Sequence, residues 1–168
     1  MKKNFVLAAL TVIASSKVWA GAPDEDVIKS CLQAASSRPA VTIQPVSVHE
    51  VTEEDDYKQG FDAKYMFTYA GADAGFAVGK ADQALIYRGN LYRISRAVSV
   101  GNNHNIAPSG FDPRLAVWSA AKEGKRKYFC VGFNFDGPGR SGSFQHVYGG
   151  YVLDENTSKL YFAVRELQ

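Results

Sequence analysis

Cysteine and histidine are both scarce in this chain, two of one and three of the other. Neither is spaced for metal chemistry. His49, His104 and His146 lie far apart, and Cys31 and Cys130 form no Cys-x-x-Cys pair, so a zinc site has no support. The acids Glu53, Glu54, Asp55 and Asp56 lack the Asp-x-Asp-x-Asp-Gly order of a calcium loop. The glycine-rich "FDGPGRSGSF" leads into another predicted strand and has no Gly-Lys-Ser/Thr ending, which argues against a phosphate loop. No nucleophile elbow occurs either. Ser141 and Ser143 each sit an odd number of residues from His146, which places them on opposite faces of a strand. The expectation is no cofactor, no metal and no catalytic residue.

Long apolar runs are also missing. The stretch Phe5 to Ala14 falls short of the ~20 residues a membrane-crossing helix needs. Lys2 and Lys3 precede it, and Val18 and Ala20 occupy small-residue positions after it. That pattern predicts a cleaved signal peptide, residues 1–20, of the bacterial kind. Gly21 stands where a lipoprotein would need cysteine. The expected address is the periplasm or beyond, with no transmembrane segment in the exported chain.

Removing the leader also removes Lys2, Lys3 and Lys17. The formal charge then moves from +2 to −1, with 16 basic against 17 acidic residues. A nearly neutral protein has no field to gather nucleic acid or anionic lipid. The 148 residues from 21 to 168 suit one globular domain. In an oxidising compartment Cys31 and Cys130 are expected to be bonded.

What is present is strand and turn chemistry. "GAPDEDVIKSCLQAASSRPA" predicts an amphipathic helix, with acids in its first turn and Val27, Ile28, Cys31, Leu32 and Ala35 along one stripe. "VTIQPVSVHEV" reads as an edge strand interrupted at Pro45, and "TEEDDYKQG" as an acidic turn. Phe61, Ala63, Tyr65, Phe67 and Tyr69 alternate as a strand does. "GADAGFAVGKAD" reads as a connection. "QALIYRGNLYRISRAVSV" predicts a hairpin about Gly89-Asn90. Asp112, Pro113 and Gly124 bracket a second short helix as its N-cap, first residue and terminator. "KRKYFCVGFNF", "SGSFQHVYGGYVL" and "KLYFAVREL" then make a three-stranded meander.

On the Cys130 strand, Phe129, Val131, Phe133 and Phe135 share one face, and Tyr128, Cys130, Gly132 and Asn134 the other. A Cys31–Cys130 bond therefore lays the first helix across the second face, and Gly132 leaves it room to approach. The predicted class is α+β: a curved antiparallel sheet with an N-terminal helix and a second short helix on it, in a cystatin-like or half-barrel order.

Candidate contact residues are Asp136, Arg140 and His146 around the glycine-rich turn, His104 in the polar loop, and the acids Glu53, Glu54, Asp55 and Asp56. Tyr87, Tyr92, Tyr128, Tyr148, Tyr151 and Tyr161 all fall on predicted strands. Tyrosine anchors interfaces well, because it joins rigid apolar area to a polar tip. Export, tyrosine content and missing chemistry together point to a non-catalytic binding protein that recognises another protein, of inhibitor or immunity type. The alternative is a small-molecule binder or small hydrolase with a pocket on the concave face of the sheet, where Tyr65, Tyr69, Arg140 and His146 would converge. A structural envelope subunit is a third expectation.

Overall fold

The computed structural model describes residues 21–55, 60–101, 107–108, 110–111, 113, 116–134 and 147–166. A single α-helix occurs among them, α1 (Glu25–Gln33), with Asp24 as N-cap: its carboxylate accepts from the Asp26 N–H at 3.0 Å. Glu25 and Asp26 place negative charge at the positive end of the helix dipole. The helix ends two residues before its apolar stripe does, because Ala34 turns left-handed at φ 49°.

Eleven strands follow among the described residues, in two sheets. The first sheet holds β1 (Val41–Pro45), β7 (Val98–Val100), β8 (Val117–Glu123), β9 (Arg126–Asn134), β10 (Val147–Asp154) and β11 (Lys159–Glu166), in the order β1-β8-β9-β10-β11-β7. All neighbours are antiparallel except β11 and β7. The second sheet is a meander of β2 (Thr52–Glu54), β3 (Ala63–Tyr69), β4 (Ala72–Val78), β5 (Gln83–Tyr87) and β6 (Asn90–Arg93). The α+β class holds, with one helix packed on a mainly antiparallel sheet and no closed barrel.

β9 lies near the middle of the first sheet and shows why the layers stack as they do. Tyr128 and Cys130 join Val27 and Cys31 in one buried cluster beneath α1. The Cys31–Cys130 disulfide closes a loop of sequence separation 99, with Cα atoms 5.3 Å apart. A Cβ on Gly132 would stand 2.9 Å from the Leu32 carbonyl oxygen and 3.3 Å from that of Cys31. The helix backbone thus rests directly on the sheet at that point. Phe129, Val131 and Phe133 point the other way and meet Phe67, Ala74, Leu85 and Tyr87 of the second sheet in the main core. A second sheet, not a second helix, buries the phenylalanine face.

The expected second helix is instead the strand β8. Its Trp118 and partly buried Ala120 face the second sheet, while the small Ala121 lies under α1. That alternation outweighs the helical propensity of "SAAKE", because β8 pairs with β1 on one side and β9 on the other. Gly124, read as a helix terminator, supplies φ 58° at the β8–β9 hairpin turn. The β5–β6 turn is centred on Arg88-Gly89, both left-handed, one residue before the expected place; this is the primed turn that fits twisted strands. "GADAGFAVGKAD", read as a connection, contains β4, paired on both sides. Its Gly75 adopts φ 149°, and any Cβ there would collide with the Tyr65 carbonyl oxygen. The acidic segment is half strand, since Thr52–Glu54 forms β2.

Polar groups tie the ends. Asp154, fully buried, accepts from Arg126 at 2.8 Å and from the Asn156 and Thr157 N–H groups at 2.9 and 3.3 Å. Arg38 links the helix to the β8–β9 hairpin through Asp26 at 3.1 Å and through Glu123.

Candidate binding cleft between the sheets

The main chain leaves β1 after Pro45 and crosses from the first sheet to the second, where β2 begins. From Ser47 to Asp55 every residue is exposed. This stretch contains Glu50, Glu53, Glu54 and Asp55 and no lysine or arginine. It also presents Val48 and Val51, which are 38% and 53% exposed. Apolar side chains left in water beside acids are the kind of surface that marks a contact site.

Behind the valines is a cleft of about 540 Å³. Tyr65, Phe67, Phe76 and Trp118 line it, with Pro113 and Ala116 at one side. The rings are packed against each other. Tyr65 stacks on Phe76 at 4.9 Å, and Phe67 meets Trp118 edge-on at 5.1 Å. Tyr65 lies opposite Glu53 in the β2–β3 register, and its hydroxyl donates to Glu53 Oε1 at 3.1 Å. That bond, and the negative charge behind it, raises the Tyr65 pKa. Glu53 therefore lies on the cleft side of β2, with its carboxylate at the rim. β2 is the last strand of its sheet, and among the described residues no strand pairs with its outer side. Its outward N–H and C=O groups are a template for an added strand.

Of the expected contact residues, Glu53 and Glu54 lie on β2 and Asp55 directly follows it, all exposed. Asp56, His104, Asp136, Arg140 and His146 lie outside the described residues. The tyrosines whose side chains are described do not form an exposed face: Tyr87, Tyr128, Tyr151 and Tyr161 are buried in the cores, and Tyr92 is half-buried, while the side chain of Tyr148 lies outside the described residues. Tyr65 and Tyr69, expected to converge, line separate clefts. The residues that make the apolar cleft, Val48, Val51, Phe76 and Trp118, were not candidates on sequence grounds. Trp118 was assigned to a helix and Phe76 to a connection, so neither could be placed beside Tyr65.

Among the described residues no group of three or more His, Cys, Asp or Glu could hold a metal ion. No helix among them is long and apolar enough to cross a membrane. Comparison of the chain with models of known families, with curated protein sequences and with solved structures finds no match.

Proposed function

We propose that this is an exported, non-catalytic binding protein that recognises an extended, basic segment of another protein at the open cleft between its two sheets. The observation that carries this reading is the juxtaposition of an unpaired acidic edge strand with a ring-lined cleft. A segment laid along β2 would exchange main-chain hydrogen bonds with it. Alternate side chains would then enter the cleft beside Val51 and Glu53, while the lysines or arginines between them met Glu54 on the other face of the strand. The acids would speed encounter and set specificity. In the inhibitor- or immunity-type version, the segment belongs to an enzyme or toxin that acts on the cell envelope.

In a chain cut after Ala20, Trp118 is the single tryptophan, and it lies in the cleft. Its fluorescence should respond to a peptide alternating lysine with leucine and not to the glutamate-for-lysine version. Affinity should fall with added salt and drop at least tenfold in E53K/E54K. Equal response to both peptides, or an unaffected E53K/E54K variant, would overturn the proposal.

The cleft's volume and aromatic lining also favour a second reading. Small-molecule sites span ~300–1,000 Å³ and are lined mainly by apolar groups. Saturable binding of a neutral aromatic compound, with no response to either peptide, would support that reading instead.

A further inference from the structure

Farther along β3 and β8 lies a cleft of different chemistry, about 350 Å³ in volume. Lys122 and Lys127 occupy directly opposite positions on β8 and β9. They form the first pair after Glu123 and Arg126, which close a two-residue hairpin. In such a hairpin the next pair is the non-hydrogen-bonded kind, whose side chains stand closest. Like charges placed there repel and cost stability, so folding alone gives no reason for them.

The other charged groups of the cleft do not relieve the pair. Glu155 is its only acid among the described lining residues. The Glu155 carboxylate is held by Arg88 at 3.4 Å and by the Tyr87 hydroxyl. It neutralises Arg88 and leaves the two lysines in excess. No ion pair to either lysine side chain occurs among the described residues. Around this positive centre stand groups suited to a hydroxylated ligand. Tyr69 supplies ring surface and a hydroxyl, the Tyr87 ring lies behind it, and Thr42 and Gln44 supply polar side chains.

We propose that this cleft binds a small anion carried on a hydroxylated body, a sugar acid or a sugar phosphate, with Lys122 and Lys127 clasping the anionic group. The proposal is independent of the peptide-binding reading, since it uses other residues and the opposite charge.

The test uses disulfide-intact protein titrated with glucuronate and with glucose 6-phosphate, followed by thermal shift and by amide NMR. Glucose and sodium chloride at equal ionic strength serve as controls. At least one sugar anion should raise Tm and shift the amides of β8 and β9, and which one does so separates carboxylate from phosphate. K122Q/K127Q should bind at least tenfold more weakly, yet melt no lower than the parent without ligand, because a repulsion has been removed. K122R/K127R should retain binding, and so should K125Q, altered in the turn outside the cleft. The proposal is overturned if neither anion exceeds sodium chloride, if glucose does as well, or if K122Q/K127Q binds like the parent.

Discussion

Replacing Gly132 with alanine tests the packing of α1 on β9 with a single methyl group. The added carbon would stand 2.9 Å from the Leu32 carbonyl oxygen and 3.3 Å from that of Cys31. Both obstructing atoms are backbone, so no rotamer change relieves the contact. The helix has to move as a body, although the Cys31–Cys130 bond tethers it. Ile28 and Leu32, now 7% and 6% exposed, would lose part of their cover. Overpacking costs ~1–3 kcal/mol, and a rigid obstruction belongs at the upper end, ~2–3 kcal/mol. For a chain of this size each kcal/mol lowers Tm by ~2–4 °C, so the expected drop is about 5–10 °C. Far-UV circular dichroism melts of the oxidised protein would measure it. Gly21→Ala is the control, because its Cβ meets nothing within 4 Å. A G132A variant that melts with the parent would refute the close seating of the helix.

Other expectations follow from the same contacts. Reducing the Cys31–Cys130 bond, which closes a loop of separation 99, should lower unfolding free energy by ~4–5 kcal/mol in the chain-entropy model, read from urea midpoints with and without reductant. An unchanged midpoint would remove the tether from the account. Tyr87 and Tyr128 are each pushed up to about 12, chiefly by burial. In the unfolded chain they ionise near ~10, so stability is full below that pH and is lost as pH rises through 12, by a few kcal/mol per tyrosine at most, ~3 kcal/mol. Absorbance at 295 nm would show both holding their protons past pH 11 in the native protein, and ordinary titration of all tyrosines would contradict their burial. Asp154→Ala strands Arg126 and the Asn156 and Thr157 N–H groups, and should cost ~2–3 kcal/mol by chemical denaturation. A loss under half a kcal/mol would show that the β10–β11 turn does not depend on it.

How far the fold could be read from sequence depended on where the signal was local. β9 was legible because Phe129, Val131 and Phe133 alternate with Tyr128, Cys130 and Gly132, and compartment chemistry joined Cys31 to that strand. From those two facts came both the helix position and the role of Gly132. The second sheet was legible only in part: the alternation of β3 and the turn of the β5–β6 hairpin stood out, and β4, which joins them, did not. Its β4 is built of Ala72, Ala74, Gly75 and Ala77, small residues that carry no strand pattern, and their need arises only from close neighbours on both sides. β8 was misread because Pro113 and Gly124 resemble helix caps and the alanines resemble a helix interior, whereas its conformation is set by β1 and β9. The same misreading hid the cleft. The acids Glu53, Glu54 and Asp55 stood out as a charge run, but the rings they flank come together only when β3, β4 and β8 are in place.

Amide hydrogen exchange of β2 tests the proposed recognition most directly. If a basic segment adds as a strand, the amides of Thr52–Glu54 that point away from β3, which alternate along β2, should become protected when the lysine–leucine peptide saturates the protein, while those of β1 on the other sheet stay as they were. Protection that appears elsewhere and leaves β2 exchanging freely would contradict recognition at this edge.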